Sequence, residues 1–375
     1  MSRWLPAPAD NGARIRRAQF VAALDEHFDV DWFSLLDVAP DANDIAQVPA
    51  CVEWFAQPGF DPRGIRSIVA LANPTPRAVV TTRSRAAAER IDAYCATTRP
   101  AAIVADEIHT AHYGLGRNLP VMVEELQVGH LVDDASWRGR LSWAKNRRYH
   151  RRVLAASAIA TAPSALERDH LRVLGPHATI EVVANGVDTD RLRPDPNAQV
   201  DPDRLIYCGS PQYDANLDAV VWFGHDVLPA IRSVRPDARL VVTGATEGVV
   251  LPTIDGVEFV GRVDDIAPAV RAAACSVAPL RRGGGTRIKI LESLALGTPV
   301  VATTKGAEGL ELRPDEAVVV DSASAMAAAV LDVMVDRARR AELVWRGRVA
   351  AERHDWRDSR QRWVELVHDL VRLGS

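Results

Sequence analysis

Short runs rich in Val, Ile and Ala alternate with longer amphipathic segments along most of the chain, and this rhythm restricts the fold more than any other feature. A parallel sheet needs it, because parallel neighbours are joined by long crossovers and the strands are buried on both faces. In the first half the candidate strands are 30–36, 101–106, 121–125, 158–162 and 180–183. A cleaner series follows at 205–208, 240–243, 257–260, 276–280, 299–303 and 317–320. Between them the spacing predicts helices over 217–234, kinked at Pro229, and over 266–274, 288–295 and 323–337.

With 375 residues the chain exceeds what one hydrophobic core usually serves. The stretch 193–204, RPDPNAQVDPDR, is rich in Pro and Asp and separates the two series. The fold class expected is therefore α/β, with two doubly wound parallel-sheet domains and a cleft between them. Domain one spans 1–192, a linker 193–203, and domain two 204–353. Trp356, Trp363, Leu366, Val367, Leu370 and Val371 recur near helical spacing, so 354–375 is expected as an amphipathic helix crossing back to domain one.

The formal charge of −4 argues against a general nucleic-acid binder, so basic residues must act locally. Lysine occurs only at Lys145, Lys289 and Lys305. Cysteines 51, 95, 208 and 275 show no CxxC spacing, which signals neither a disulfide framework nor a zinc site and fits a reducing cytoplasm. No apolar run approaches the roughly 20 residues that span a bilayer, and MSRWLPAPADNG lacks the apolar core of a signal peptide, so a cytoplasmic location is expected. The NRRYHRR run at 146–152 reads as the solvated face of a long helix; its other reading is a peripheral membrane or acidic-acceptor contact.

The most informative segment is 279–303, PLRRGGGTRIKILESLALGTPVVAT. A strand end meets Gly283, Gly284 and Gly285, then a helix, and ligands of parallel α/β sheets gather at the carboxyl ends of strands. Bare backbone amides at such a turn, with the positive end of a helix, suit phosphate, and Arg287 and Lys289 add charge beside Thr286. Glu292 lies in the first turns of that helix, within reach of sugar or ribose hydroxyls. A flexible turn with a solvated helix face is the competing reading.

This segment resembles the signature of family-four retaining glycosyltransferases of the GT-B fold, whose two domains are facing and Rossmann-like. Glu292 stands at the second signature glutamate and is followed by Gly297, Pro299, Val300, Val301 and Ala302, while Gly284 replaces the first glutamate. The form GGGTRIKILE looks like a sub-branch of that family. The resemblance implies that domain two holds a nucleotide-diphosphate sugar, with Glu292 on the ribose. Where the family has G-R and a lysine on the diphosphate, this chain reads Gly209, Ser210, Pro211, Gln212, Tyr213, Asp214, Ala215, Asn216, so Arg287 and Lys289 are expected to substitute. Arg262 and Val263, in VEFVGRVDD, match the loop beneath the base, and Asn185–Asp188 (NGVD) the inter-domain element. In domain one, PADNGARIR resembles the glycine loop, which places Asn11 and Gly12 near the donor with Arg14 and Arg16 beside them. The family's acceptor-side histidine has no counterpart at Leu126, so His109, with Asp106, becomes the candidate for the sugar or incoming hydroxyl.

The resemblance implies retaining transfer of a hexosyl group to a hydroxyl acceptor such as a polysaccharide, glycolipid or small metabolite. No metal or other cofactor is expected, and His109 with His112 makes a weak metal pair. No glycosidase-like carboxylate pair is evident. The alternatives are a nucleotide-sugar epimerase and a non-catalytic GT-B subunit.

Overall fold

The computed structural model describes residues 1–57, 70, 73–132, 137–285 and 287–374. The chain forms two compact units, one of Met1–Asn185 with Arg357–Ser375 and the other of Gly186–Trp356.

In the first unit, β1 (Asp31–Leu36) pairs in parallel with β2 (Cys51–Ala56). A second parallel sheet follows the order β3 (Ile103–Asp106), β4 (Val121–Glu124), β5 (Ile159–Ala162), β6 (Ile180–Val182). The sequence reading missed β2, whose CVEWFA is not fully buried on either side and so lacks a clean apolar run. The Trp137–Ala156 helix leaves Arg147, Arg148, Arg151 and Arg152 exposed while Tyr149 and Trp143 pack on the unit's core, the solvated face expected. Trp363, on the closing Trp356–Arg372 helix, is fully buried, edge-on to Phe20 at 5.2 Å.

The second unit is a six-stranded parallel sheet in the order β12–β11–β10–β7–β8–β9. Its strands are β7 (Asp201–Cys208), β8 (Arg239–Thr243), β9 (Val257–Gly261), β10 (Ala273–Ala278), β11 (Val300–Ala302) and β12 (Val318–Val319). Winding runs outward from β7 to β9, then returns and runs outward from β10 to β12, so the direction reverses between β7 and β10. Both faces are covered: Leu205 and Tyr207 join one core cluster, Ile206 the other. The predicted 217–234 helix runs over Asp214–Arg232 with a wide turn at Phe223–Val227 just before Pro229, which has no N–H to donate. The helix predicted over 266–274 ends at Arg271, because Ala273–Ala278 is wholly buried as β10.

The division at Asn185–Gly186 precedes the predicted linker, and 193–203 packs within the second unit. Arg271 donates twice to the Arg193 carbonyl, at 2.9 and 2.6 Å, and β7 already begins at Asp201. Arg348 donates to the carbonyls of Thr189, Leu192 and Ala295, and Val187 pairs with Asp355. Low apolar content signalled a connector, but the Arg193 carbonyl and the Asp201 and Asp203 carboxylates, which pair with Arg239 and Arg235, hold this stretch in place.

Candidate functional site

The reversal between β7 and β10 is where a doubly wound sheet opens a crevice at its strand ends. The loop after β7 contains Gly209 and Ser210, and that after β10 contains Gly283, Gly284 and Gly285, so two segments singled out by sequence meet there. The Gly209 N–H donates to Thr243 and the Ser210 hydroxyl to the Ala245 carbonyl at 2.7 Å. Gly244, at φ 120°, lets these loops touch, since a β-carbon there would lie 2.5 Å from the Ser210 nitrogen. Gly283 adopts φ 94°, and a β-carbon on it would sit 2.7 Å from the Tyr213 hydroxyl and 2.9 Å from Ala215 Cβ. Thr286 lies outside the described residues.

Arg287 and Lys289, paired in the sequence reading, have different surroundings. Arg287 is 6% exposed and donates inward, Nη1 to the Gly284 carbonyl at 2.6 Å and Nη2 to the Gly283 carbonyl at 3.0 Å. It braces the glycine loop with its terminal nitrogens committed, which corrects its expected place as a mobile phosphate cation. Lys289, the second residue of the Ile288–Ala295 helix, donates to Tyr207 Oη and Asn216 Oδ1, each at 3.1 Å, and its ammonium lies 4.3 Å from the Tyr207 ring centre. A β-carbon on Gly209 would collide with Lys289 Nζ, so this ammonium borders the β7 loop. Burial first, then the nearby Arg287 charge, brings its pKa down to about 7.

Glu292 is three residues beyond Lys289 and shares its helix face. It is half-buried, and no hydrogen bond or ion pair engages its carboxylate among the described residues. Burial raises its pKa above the usual carboxylate range, against the pull of Arg191 and Lys289. An acidic acceptor beside a cation and bare amides fits a polyhydroxylated ligand bearing phosphate. The sequence reading gave no role to Tyr207 or Asn216. Their signal was available in retrospect, since Asn216 opens the helix after the β7 loop and its Nδ2 donates to the Ser210 carbonyl at 2.9 Å. Arg262 is exposed and Val263 half-buried just after β9, where Gly261 turns at φ 73°.

In the first unit the expected residues divide. Asn11 caps the Gly12–Asp25 helix by accepting from the Arg14 N–H at 3.1 Å, Gly12 begins that helix, and Arg14 pairs with Asp10 at 3.2 Å. Arg16, expected near substrate, is instead 1% exposed: Nη1 donates to Asn185 Oδ1 at 2.8 Å and Nη2 to Glu124 and the Val183 carbonyl. Asp106, expected on the acceptor side, is 6% exposed and accepts from Arg17 Nε at 2.9 Å and from the Ser2 hydroxyl. Arg17 also donates to Glu107 Oε1 at 2.8 Å and lies 2.8 Å from Glu125 Oε2. The network thus gathers Asp106, Glu107, Glu124 and Glu125 against Arg16 and Arg17. Burial pushes the Glu125 pKa up to about 7, against the pull of Arg17 and Arg16. Carboxylate oxygens of Asp106, Glu124 and Glu125 approach one another closely enough to ligate a metal, but each of them is already paired with Arg16 or Arg17. His109 is half-buried, its Nδ1 lying 3.1 Å from Glu107 Oε2. Both ring nitrogens of His112 are buried with no hydrogen-bond partner among the described residues, and burial lowers its pKa to about 4.

Known folds that match define the class. The chain aligns with sucrose-phosphate synthase of Thermosynechococcus elongatus at TM-score 0.74 and 18% identity, covering 99% of this chain and 97% of that one. It aligns with HepE of Anabaena, solved in complex with UDP and glucose, at TM-score 0.67 and 15% identity, covering 96% of each chain. The chain has the GT-B fold, with two Rossmann-like α/β units, as the sequence reading expected. Residues 202–336, nearly all of the second unit's sheet, match the family described as glycosyl transferases group 1. Over 248 residues the chain is 31% identical to the GDP-mannose-dependent alpha-(1-6)-phosphatidylinositol monomannoside mannosyltransferase of Mycobacterium tuberculosis, covering 59% of this chain and 62% of that protein. Over 242 residues it is 27% identical to the phosphatidyl-myo-inositol mannosyltransferase of Mycobacterium leprae, covering 61% and 63%. The chain therefore spans a little under two thirds of the length of these relatives. No helix among the described residues is long and apolar enough to cross a membrane.

Proposed function

We propose that the chain is a retaining glycosyltransferase that moves a hexosyl group from a nucleotide-diphosphate sugar to a hydroxyl acceptor. The observation that carries this reading is the uncommitted Glu292 carboxylate beside the Lys289 ammonium, at the strand-end crevice between the Gly209 and Gly283 loops. Glu292 accepts from the ribose hydroxyls, and Lys289 meets the diphosphate. Arg287 acts one step back, holding the Gly283 and Gly284 carbonyls so that the loop's shape is set before the donor arrives.

Retaining transfer develops positive charge at the anomeric carbon while the diphosphate departs with growing negative charge, so the electrostatic task is to stabilise the leaving group. Backbone amides of the glycine loop and Lys289 serve it without a metal. The departing phosphate oxygen takes the proton of the incoming hydroxyl, which then attacks on the same face. GDP-mannose is the donor favoured, because the relative named above depends on it, and an inositol lipid is the favoured acceptor class on the same ground.

A thermal-shift panel of GDP, UDP, ADP and dTDP tests the site, because a ligand that binds only the native state stabilises it in proportion to its affinity. GDP should give the largest shift, and Glu292→Ala should lose it with the fold intact. Undiminished affinity in that variant, by calorimetry, removes Glu292 from the site. Slow release of GDP from GDP-mannose without acceptor separates a transferase from a GT-B protein that only binds.

A further inference from the structure

Lys289 reaches the crevice from the Ile288–Ala295 helix, but its ammonium is held by residues of two other elements. Tyr207 lies fully buried on β7, and Asn216 is the third residue of the Asp214–Trp222 helix. Their polar atoms close a three-membered ring: Tyr207 Oη donates to Asn216 Oδ1 at 2.6 Å, and Lys289 Nζ donates to each of these oxygens at 3.1 Å. On its other side Asn216 Nδ2 donates to the Ser210 carbonyl at 2.9 Å. Chemistry fixes the amide's orientation, because an ammonium can only donate and a carbonyl can only accept. The ring packs beneath Gly209, where a β-carbon would collide with Nζ and lie 3.0 Å from Tyr207 Cε1 and 3.1 Å from Asn216 Cγ.

An ammonium has three donors, and the ring uses two, which leaves the third for an anion at the Gly209 loop. Both acceptors are neutral oxygens, so they hold the ammonium in place without cancelling its charge, as a carboxylate would. A free lysine stem loses its rotamer freedom when an anion binds; here that freedom is already lost on folding. Building on the donor site described above, we propose that Tyr207 and Asn216 are positioning residues: they aim the Lys289 ammonium at the donor's diphosphate with its charge uncancelled, and Asn216 ties that aim to the Ser210 turn of the β7 loop. Among the described residues, the charged and titratable groups facing Nζ are Arg287 just before the same helix, Glu292 one turn further, and Cys208 and Tyr207 on β7. Burial pushes the Cys208 thiol up to about 12 and raises Tyr207 as well, so neither gains charge near neutral pH.

The test follows Lys289 directly. Lysine occurs only at Lys145, Lys289 and Lys305, so carbon-13-labelled lysine gives three side-chain signals, and Lys289→Met assigns the one of interest. In the nucleotide-free wild type its titration midpoint is expected at about pH 7. Tyr207→Phe removes one neutral acceptor and should lower the midpoint by about one pH unit. GDP should then bind about fivefold more weakly at pH 7, as the protonated fraction falls. Asn216→Asp sets a carboxylate against Nζ and should raise the midpoint by about 1–3 pH units. Its GDP affinity at pH 7 should nonetheless fall by about tenfold or more, because the new charge cancels the ammonium and repels the diphosphate. In calorimetry the climb of Kd with pH should begin earlier than in the wild type for Tyr207→Phe and later for Asn216→Asp. A merely structural pair would lower the melting temperature and the GDP affinity but leave the Lys289 midpoint and the onset of that climb in place, which would overturn the proposal. Tighter GDP binding by Asn216→Asp at pH 7 would overturn it as well. Midpoints that move as expected while all three variants, Lys289→Met included, bind GDP like the wild type would overturn the aim at the diphosphate together with the donor site, a pattern distinct from failure of the ring alone.

Discussion

Replacing Lys289 by Met removes the ammonium beside Gly209 while keeping most of the side chain's volume, and so isolates its charge. A hydrogen bond to a charged group contributes about 1.5–3 kcal/mol. Losing about 2 kcal/mol should weaken binding of a nucleoside diphosphate roughly thirtyfold at pH 7. The depressed pKa adds a second signature. With the free-state value at about 7, the protein must take up a proton at Lys289 to bind the anion above that pH. Anion binding raises this pKa in the complex, so binding is strongest below the free value and weakens as pH rises toward the bound value. The wild-type Kd should climb by up to about tenfold per unit between pH 7 and pH 9. The phosphate's own proton, with a pKa near 6, is already lost over that range. Calorimetry in two buffers of different ionisation enthalpy would show proton uptake in the wild type and little in Lys289→Met. A wild-type Kd that stays flat from pH 7 to pH 9 with no proton uptake would refute placing Lys289 on the diphosphate.

Three further outcomes are expected. Gly283→Ala forces a β-carbon onto φ 94° and against Tyr213 and Ala215, costing about 1–3 kcal/mol, so nucleotide affinity in calorimetry should fall along with the melting temperature. Glu125→Gln should stabilise the protein more at pH 8 than at pH 5. The Glu125 carboxyl has its folded pKa raised to about 7 from 4.5, so the folded state binds more protons between those values and stability declines as pH rises through them; equal melting shifts at both pH values would count against this. Trp363→Ala should cost about 3–5 kcal/mol in denaturant unfolding, because the indole is fully buried on Phe20 and its Nε1 donates to Glu124 at 3.1 Å.

Glu292, the three glycines and the Ile288–Ala295 helix were legible in the sequence because helical spacing, a strand end and a turn are all encoded within a few neighbouring residues. The fold class was equally legible, since β7, β8, β10 and β11 each announce themselves as a short apolar run. Local pattern does not carry partners, however, and partners decided the roles of the arginines. Arg16 was expected beside the donor loop, yet it is enclosed by Glu124, 108 positions away, and by Asn185, 169 positions away. Arg287 and Lys289 look interchangeable in TRIK, and only the backbone carbonyls that enclose Arg287, set against the hydroxyl and amide oxygens around Lys289, tell them apart. By itself the sequence determined the strand–helix rhythm and the two-domain α/β class, because these depend on short-range periodicity, while the GT-B expectation came from the resemblance carried by the glycine–glutamate segment. Tertiary structure alone decided which charges are buried, which are paired and which face the crevice, because desolvation and ion pairing depend on distances in space that separation along the chain leaves open.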